Sequence, residues 1–249
     1  KNLVITNKNS YLKLINKKSI RNKYNIFNNF YCFKKIFKKK IDYTMSAIMG
    51  IDGLSPTLEI IKHTKNIAIA NKESIICGWD LLKKELKRYN TNFIPVDSEH
   101  FSIWFDLLNN NETDKIKKIY ITASGGPFRS RKIDSFKNIS IKDAINHPNW
   151  KMGKKISIDS ATMVNKIFEL IEAKNIFDIT YDQLSIIIHP ESYIHAIIEY
   201  DNGLSKIILH ETDMKIPIFN SLNFINTKKY DSKDIDFKRL NNLELSSAD

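Results

Sequence analysis

Two carboxylates, Asp97 and Glu99, flank Ser98 where a short apolar segment gives way to a helix-like run, in the sequence VDSEH. In an open α/β sheet, ligands bind at the carboxyl ends of the strands. Two carboxylates at such a junction, with a third from elsewhere in the fold, would suit a hard divalent cation that keeps water or substrate oxygens as its other ligands. The alternative is helix capping, which these residues alone favour, because Asp and Glu are common in a first helical turn.

The run SIDSATMVNK at 157–166, with its continuation to Glu169, indicates a phosphate pocket. If Ser160 caps a helix here, free backbone amides and the positive end of the helix dipole attract an anion, and Asn165 and Lys166 add donors. Asn165 and Glu169 lie four residues apart and share a helix face, so Glu169 could sit near the anion and still reach a metal. An ordinary capped amphipathic helix is the alternative.

Three further polar segments could contact a substrate. Ser124 lies in TASGGPF, where paired glycines let the backbone approach a ligand closely. His147, Trp150 and Met152 lie on a polar loop that could close as a lid and exclude water. Lys72 follows a strand end in ANKES and could bind a substrate oxygen or a cofactor. The alternative for the segment with Ser124 is a plain turn. The alternative for the loop with Trp150 is a surface loop whose tryptophan packs on the core, and the alternative for Lys72 is a solvated side chain.

Composition narrows the possible classes of protein. The chain has 249 residues, 42% of them hydrophobic and 27% charged, which is enough for a sizeable core in one or two domains. Its net charge is +11, but residues 1–40 hold 12 basic residues and no acidic one, so the rest of the chain is near neutral. This distribution argues against a nucleic-acid-binding surface that extends over a whole domain. Cys32 and Cys77 are isolated, which argues against a zinc site or a disulfide framework. No glycine-rich phosphate loop and no apolar run of membrane-spanning length occurs.

The elements that must position these residues follow an α/β pattern. From Met45 onward, buried strand-like runs alternate with amphipathic helices, which predicts a parallel sheet. KISI at 155–158 leads into a helix predicted from about Ser160 to Phe177, and three strand-like runs follow at 184–189, 193–200 and 204–210, the last two joined by a hairpin signal. Residues 1–44 are predicted to be a basic low-complexity leader without packed structure, and residues 222–249 a linker.

Taken together and in order, five segments closely resemble the 1-deoxy-D-xylulose 5-phosphate reductoisomerase family, and the resemblance runs from about Ile41 to Leu222. They are AIANKESIICG at 68–78, PVDSEH at 95–100, TASGGPF at 122–128, HPNWKMGKKISIDSATMVNK at 147–166, and HPESYIH with DMKIPI at 189–195 and 213–218. The resemblance implies an incomplete Rossmann-like NADPH domain at 45–96 and an α/β catalytic domain with a partly antiparallel sheet at 97–221. The family's helical C-terminal domain would be missing after the linker.

The resemblance also implies an activity and its cofactors. The enzyme would rearrange 1-deoxy-D-xylulose 5-phosphate and reduce it with NADPH to 2-C-methyl-D-erythritol 4-phosphate, using Mg²⁺ or Mn²⁺, in non-mevalonate isoprenoid synthesis. It would be a homodimer, with segment 184–210 contributing to the interface, and would have no membrane or specific nucleic-acid partner. It would lie in a plastid if the basic leader is a targeting segment, and otherwise in the cytoplasm. The alternatives are a catalytically inactive relic that binds metal and sugar phosphate without turnover, and a nucleic-acid binder acting through its basic tail.

By the same resemblance, each candidate residue has an implied role. The metal ligands would be Asp97, Glu99 and Glu169. The substrate would be held by Ser98, Ser124, Ser160, Asn165 and Lys166, with Glu169 close to it, and would be covered by the lid residues His147, Trp150 and Met152. Lys72, Ser98 and His147 would take part in catalysis. The cofactor would lie against Asn71, Lys72, Glu73, Gly153 and Met214 and near the stretch from Gly50 to Gly53.

Two departures from the family pattern bear on these expectations. The family opens with a glycine-rich nucleotide loop, whereas residues 1–44 contain no glycine, and the family continues beyond the position of Asp249. In addition, Ile167 stands where the family's usual motif has glycine, and a larger residue there could crowd the phosphate pocket.

Overall fold

The structure is a computed structural model that describes residues 1–108, 115–146, 150, 153–226 and 228–248. The chain divides into two compact units, Lys1–Ile94 and Pro95–Asp249. This boundary lies two residues before the predicted one at 96/97. Among the described residues, no helix combines the length and the apolar character needed to cross a membrane.

The first unit is built on two small sheets. Its elements are β1 (Asn2–Val4), α1 (Lys8–Ile15), α2 (Lys18–Arg21), β2 (Asn25–Phe27), α3 (Phe33–Ile36), β3 (Ile41–Ser46), α4 (Leu54–Ile61), β4 (Thr64–Ile69), α5 (Lys72–Tyr89) and β5 (Asn92–Pro95). Strands β1 and β2 are parallel, and β3, β4 and β5 form a second sheet in which β3 and β4 are parallel. The last four residues of β4 are all buried, as expected for a parallel strand covered on both faces.

Residues 1–40 are folded, which differs from the predicted leader without packed structure. Asn7 caps α1 by accepting a hydrogen bond of 2.9 Å from the Ser10 amide. Leu3 of β1 pairs with Ile26 of β2, and Cys32 is buried. The absence of acidic residues suggested low complexity, but the spacing of apolar residues is enough to form short elements that pack together. The 12 basic side chains of this segment therefore belong to a folded part of the chain. The charge argument against a nucleic-acid surface treated this segment as unfolded, so it no longer holds.

The second unit carries a five-stranded mixed sheet. Its elements are α6 (Ser98–Leu107), β6 (Ile116–Ala123), α7 (Ile141–Ala144), α8 (Lys154–Ala161), α9 (Val164–Phe177), β7 (Leu184–Ile188), β8 (Ile194–Tyr200), β9 (Ser205–Leu209), α10 (Lys215–Asn223), α11 (Phe237–Leu240) and β10 (Ser246–Ser247). The strand order is β10-β7-β6-β8-β9. Strand β6 is parallel to β7 and antiparallel to β8, which confirms the predicted partly antiparallel sheet.

The core of this unit lies between the sheet and helices α6 and α9. Ile119 and Ile121 of β6 and Ile198 of β8 are fully buried and cluster with Ile103 of α6 and Ala173 of α9. Because both helices are anchored to this apolar cluster, the polar residues at their N-terminal ends are held in fixed positions.

Residues 222–249 include ordered elements rather than only the predicted linker. Strand β10 pairs antiparallel with β7, and the Glu244 carbonyl lies 2.9 Å from Nδ1 of the buried His189. The Arg239 guanidinium lies 3.0 Å from the Glu211 carboxylate and stacks over Tyr193 with 4.0 Å to the ring centroid. Long-range pairing of this kind leaves no local periodicity, so the sequence pattern did not reveal it.

Candidate metal and substrate site

Three carboxylates converge in the second unit where α6 and α9 begin. Asp97 occupies the N-cap position of α6, but its side chain accepts no capping hydrogen bond from the helix. Glu99 lies in the first turn of α6, and Glu169 projects from α9. Ligand oxygens of all three lie within 4.8 Å of one another. Capping therefore does not account for Asp97, and the geometry permits all three carboxylates to share one cation.

A cluster of donors from neighbouring residues already contacts these carboxylates. The Lys166 ammonium lies 3.1 Å from Glu99 Oε1 and 2.5 Å from Glu169 Oε2. Asn165 donates through Nδ2 to Glu169 Oε1. Ser98 donates through Oγ to Glu99 Oε2 at 2.6 Å. The site is therefore a compact network in which acidic and donor side chains alternate.

Burial controls the charges in this network. Burial raises the pKa of Glu99 to about 8, an effect that Lys166 opposes and that Glu169 and Asp97 increase. For Lys166, burial alone would lower the pKa, but Glu169 and Glu99 raise it above its ordinary value, so the side chain is an ammonium. The Lys166 ammonium therefore already places a positive charge among these carboxyl groups.

Sequence reasoning missed two residues beside this site, His100 and Glu172. His100 is fully buried, with Nδ1 at 3.2 Å from Asp97 Oδ1 and Nε2 at 2.9 Å from the Glu169 carbonyl. Glu172 Oε2 lies 3.9 Å from His100 Nδ1. Burial alone would lower the pKa of His100, but Glu172 and Asp97 raise it to about 9. The available signal was spacing, since His100 lies one turn after Asp97 and Glu172 three residues after Glu169 on the same helix faces.

Asp97, His100 and Glu172 form a second group whose ligand atoms also lie within 4.8 Å of one another. The two histidine nitrogens already have acceptor partners in Asp97 and the Glu169 backbone. The all-oxygen set of Asp97, Glu99 and Glu169 fits a hard divalent cation better.

The structure differs from the predicted phosphate pocket in the position of Ser160. Ser160 lies in the last turn of α8 instead of capping a helix, because the chain breaks at Met163, which adopts a left-handed conformation with φ of 60°. Asn165 and Lys166 therefore lie in the first turn of α9. Because Met163 is neither glycine nor asparagine, the break could not be predicted from its residue type.

The glycine turn that contains Ser124 lies against the end of α8. The Gly126 amide donates to Ser124 Oγ at 3.2 Å. Gly126 has φ of +70°, and a Cβ placed on it would lie 2.8 Å from the Ser160 carbonyl oxygen. The structure thus places Ser124 and Ser160 on adjoining segments.

Of the lid residues, His147 and Met152 lie outside the described residues. Trp150 packs edge-on against His195 with ring centroids 6.3 Å apart, and His195 in turn stacks on His210 at 3.7 Å. Burial lowers the pKa of His195 well below its ordinary value. Gly153 is the N-cap of α8.

The candidate cofactor residues Asn71, Lys72 and Glu73 lie in the first unit, at the start of α5. Asn71 Nδ2 donates to the carbonyls of Ile48 and Gly50, the latter at 2.7 Å, and its Oδ1 accepts from the Ser74 amide at 2.6 Å. These contacts join the loop after β3 to the helix after β4, at the carboxyl edge of two adjacent parallel strands. Lys72 is buried. Met214 lies in the second unit, at the N-cap of α10.

Comparison with known proteins identifies one family across both units. The family model for 1-deoxy-D-xylulose 5-phosphate reductoisomerase matches residues 1–78, and the model for the C-terminal domain of that enzyme matches residues 93–177. The first match includes residues 1–40, so the similarity begins earlier than the sequence motifs indicated.

Relatives with this name are similar along most of the chain. The protein from Pelagibacter ubique (strain HTCC1062) is 62% identical over 100% of this chain and 64% of its own length. The protein from Clostridium kluyveri is 42% identical over 84% of this chain and 54% of its own length. The chain therefore spans less than two thirds of these relatives.

Solved structures agree with these sequence relationships. The reductoisomerase from Zymomonas mobilis in complex with NADPH superposes with a TM-score of 0.86 at 32% identity, covering 100% of this chain and 64% of that one. A DOX-P reductoisomerase in complex with NADPH, fosmidomycin and magnesium gives a TM-score of 0.88 at 35% identity, covering 100% and 63%. Sequence motifs, family models and fold all agree, and the chain belongs to the 1-deoxy-D-xylulose 5-phosphate reductoisomerase family.

Proposed function

We propose that the protein containing this chain rearranges 1-deoxy-D-xylulose 5-phosphate and reduces it with NADPH to 2-C-methyl-D-erythritol 4-phosphate, with Mg²⁺ or Mn²⁺ as the metal. The observation that carries the proposal is the convergence of three carboxylates with Asn165 and Lys166 at the start of α9. A helix turn that offers anion-binding donors beside metal-binding oxygens suits a small phosphorylated substrate. The inactive relic is the weaker alternative, because these side chains are all present.

The residues fit a divalent cation by their chemistry. Asp97, Glu99 and Glu169 would hold it, and this assignment is supported by the internal ammonium that already lies against two of them. When bound, the metal supplies a Lewis acid for the ketone and hydroxyl oxygens of the substrate. His100 keeps Asp97 in place by donating to it and ties α6 to the α9 backbone.

The remaining residues bind and orient the substrate. Ser124, Ser160, Asn165 and Lys166 would hold the phosphate, while Ser98 would contact the oxygenated carbons. Anchoring the remote phosphate fixes the reacting carbons and lowers the entropic part of the barrier. Trp150 would help to exclude water from the site.

NADPH supplies the hydride when bound. Asn71 and Glu73 at the start of α5, with the loop from Gly50 to Gly53, would hold it at the carboxyl edge of β3 and β4, where nucleotides bind in parallel sheets. Gly50 has φ of +72°, and no atom lies within 4 Å of the position that a Cβ would take there. The roles of Gly153 and Met214 as cofactor contacts stay predictions from the sequence.

The test is Glu169→Gln in the full-length protein, assayed by NADPH oxidation with the sugar phosphate and Mg²⁺. Loss of one negative charge from the cation site is expected to lower the rate by about 10²-fold or more. Asp159→Asn, which removes a partly buried carboxylate paired with Lys155 on α8, is the matched control and should leave the rate unchanged. Normal turnover by Glu169→Gln would refute the metal assignment. A wild-type protein that binds metal and substrate but no NADPH would favour the relic.

We also propose a homodimer in which the segment 184–210 takes part, because β9 is an edge strand on which Ile207 is 54% exposed. A monodisperse monomer of the full-length protein in sedimentation would refute it. Plastid localisation stays a prediction, and fusing residues 1–44 to a fluorescent reporter would test it.

A further inference from the structure

We propose that Lys166 acts as an internal counter-ion that occupies the divalent-cation site until the metal binds, so that metal binding releases the donors that receive the substrate phosphate. This inference rests on the proposed function and concerns the order in which its ligands bind. Under this proposal, metal binding and phosphate binding are coupled at the first turn of α9.

Every carboxylate oxygen of Glu99 and Glu169 lies next to a side-chain donor. On Glu99, Oε1 faces Lys166 Nζ at 3.1 Å and Oε2 accepts from Ser98 Oγ at 2.6 Å. On Glu169, Oε2 faces Lys166 Nζ at 2.5 Å and Oε1 accepts from Asn165 Nδ2. A metal coordinated by these carboxylates must displace some of these donors.

The donors that contact the carboxylates are also the residues assigned to the substrate. Asn165 and Lys166 are proposed phosphate ligands, and Ser98 is a proposed contact of the oxygenated carbons. A side chain that satisfies a carboxylate cannot donate the same hydrogen to a phosphate. The resting network therefore withholds these groups from the substrate.

Electrostatics explains why the network forms and why a metal disrupts it. Buried carboxylates are costly without a counter-charge, and Lys166, which is itself buried, provides one. A divalent cation provides more charge in a smaller volume and repels the ammonium. Lys166 can move by side-chain rotation while the α9 backbone stays fixed by its packing on the sheet. Coupling of two binding sites is reciprocal, so phosphate that draws Lys166 away must in turn strengthen metal binding.

The first experiment measures Mn²⁺ binding to the full-length protein by calorimetry, without NADPH or phosphate. Lys166→Met should bind Mn²⁺ about 5-fold or more tighter than wild type, because the competing ammonium is gone. Lys166→Arg keeps a cation at this position and should bind Mn²⁺ as weakly as wild type. Lys174→Met, a lysine two turns further along α9, is the control for net charge and should also match wild type. Unchanged or weaker Mn²⁺ binding by folded Lys166→Met would overturn the proposal.

A second measurement needs no variant, in case Lys166→Met does not fold with two uncompensated carboxylates. Amine acetylation of the wild-type protein, followed by mass spectrometry, reports whether Lys166 becomes accessible when Mn²⁺ is added. Acetylation of Lys166 should rise relative to Lys174 as an internal reference, and equal or reduced acetylation would overturn the proposal. Because neither measurement involves turnover, failure here is distinguishable from failure of the proposed enzymatic activity.

Discussion

Gly126 holds the turn that contains Ser124 against α8, and a side chain there would have no space. Gly126→Ala would place a Cβ 2.8 Å from the Ser160 carbonyl oxygen at a φ of +70°. We expect the free energy of unfolding to fall by about 2–4 kcal/mol, from left-handed strain and overpacking together. Urea denaturation would measure this change.

Gly203→Ala is the matched control for this substitution. Gly203 has a similar φ of +84°, but nothing lies within 4 Å of the added Cβ. Only the backbone strain of about 1 kcal/mol should remain. An equal loss of stability in both variants would show that the contact with Ser160 has no effect.

The stacked rings of His195 and His210 predict a loss of stability in acid. Burial lowers the pKa of both side chains, and for His195 the neighbouring His210 adds to the effect. The folded state therefore favours the neutral rings, and the stabilisation present above the ordinary value of 6.5 is lost as the pH falls through the folded pKa values. His100 acts in the opposite sense, losing its contribution as the pH rises from 6.5 to about 9, so it does not interfere below 6.5.

His210→Phe should flatten this acid dependence, because phenylalanine keeps the stacked ring and removes its titration. The measurement is urea denaturation of wild type and variant between pH about 7 and about 5. Parallel curves for the two proteins would contradict the prediction.

At this scale, the residues alone favoured helix capping for Asp97 and Glu99, and the family resemblance implied that Asp97, Glu99 and Glu169 share a metal. The structure brings ligand oxygens of these three side chains within 4.8 Å of one another. The position of Ser160 could not be predicted, because the break at Met163 has no sequence signal. His100 and Glu172 each lie about one turn after a predicted metal ligand, but they were missed because spacing within one helix does not show that the two helices meet.

Among the elements, the loop after β3 and the helix α5 are joined by the Asn71 side chain. Asn71→Ala removes the cap of α5 and both bonds to the loop carbonyls. We expect it to lower the free energy of unfolding by about 2 kcal/mol or more and to weaken NADPH binding by the full-length protein. Denaturation and calorimetric titration with NADPH would measure the two effects.

Asn7→Ala supplies the comparison. Asn7 also caps a helix of the first unit, but its bond to the Ser10 amide is exposed. Its removal should cost about 1 kcal/mol or less and leave NADPH binding unchanged. If the two variants weaken NADPH binding equally, the Asn71 contacts with the loop do not matter for the cofactor.

Elements with strong periodicity were well predicted from sequence. The strand-like runs predicted at 184–189, 193–200 and 204–210 are β7, β8 and β9. Short elements such as β1, β2 and β10 were missed, because two or three residues carry no detectable period and their pairing depends on distant partners.

For the molecule as a whole, charge is divided unevenly between the two units. Residues 1–94 carry 19 Lys and Arg against 6 Asp and Glu, whereas residues 95–249 carry 20 against 22. Self-repulsion destabilises a compact state, and salt screens it. Added salt should therefore increase hydrogen-exchange protection in the first unit more than in the second. Equal changes in both units would contradict this expectation.

Helix α9 also has a consequence for which molecules the site can accept. Asn165 and Lys166 lie three to four residues before Glu169, and a helix rises about 1.5 Å per residue, so this spacing along the axis is a length that the protein cannot stretch. Side chains can rotate, but the backbone that carries them is anchored to the sheet. If the phosphate and the metal are held as proposed, we expect a sugar phosphate with one carbon more or fewer between its phosphate and its chelating oxygens to bind more weakly, because it could not reach both groups of side chains at once.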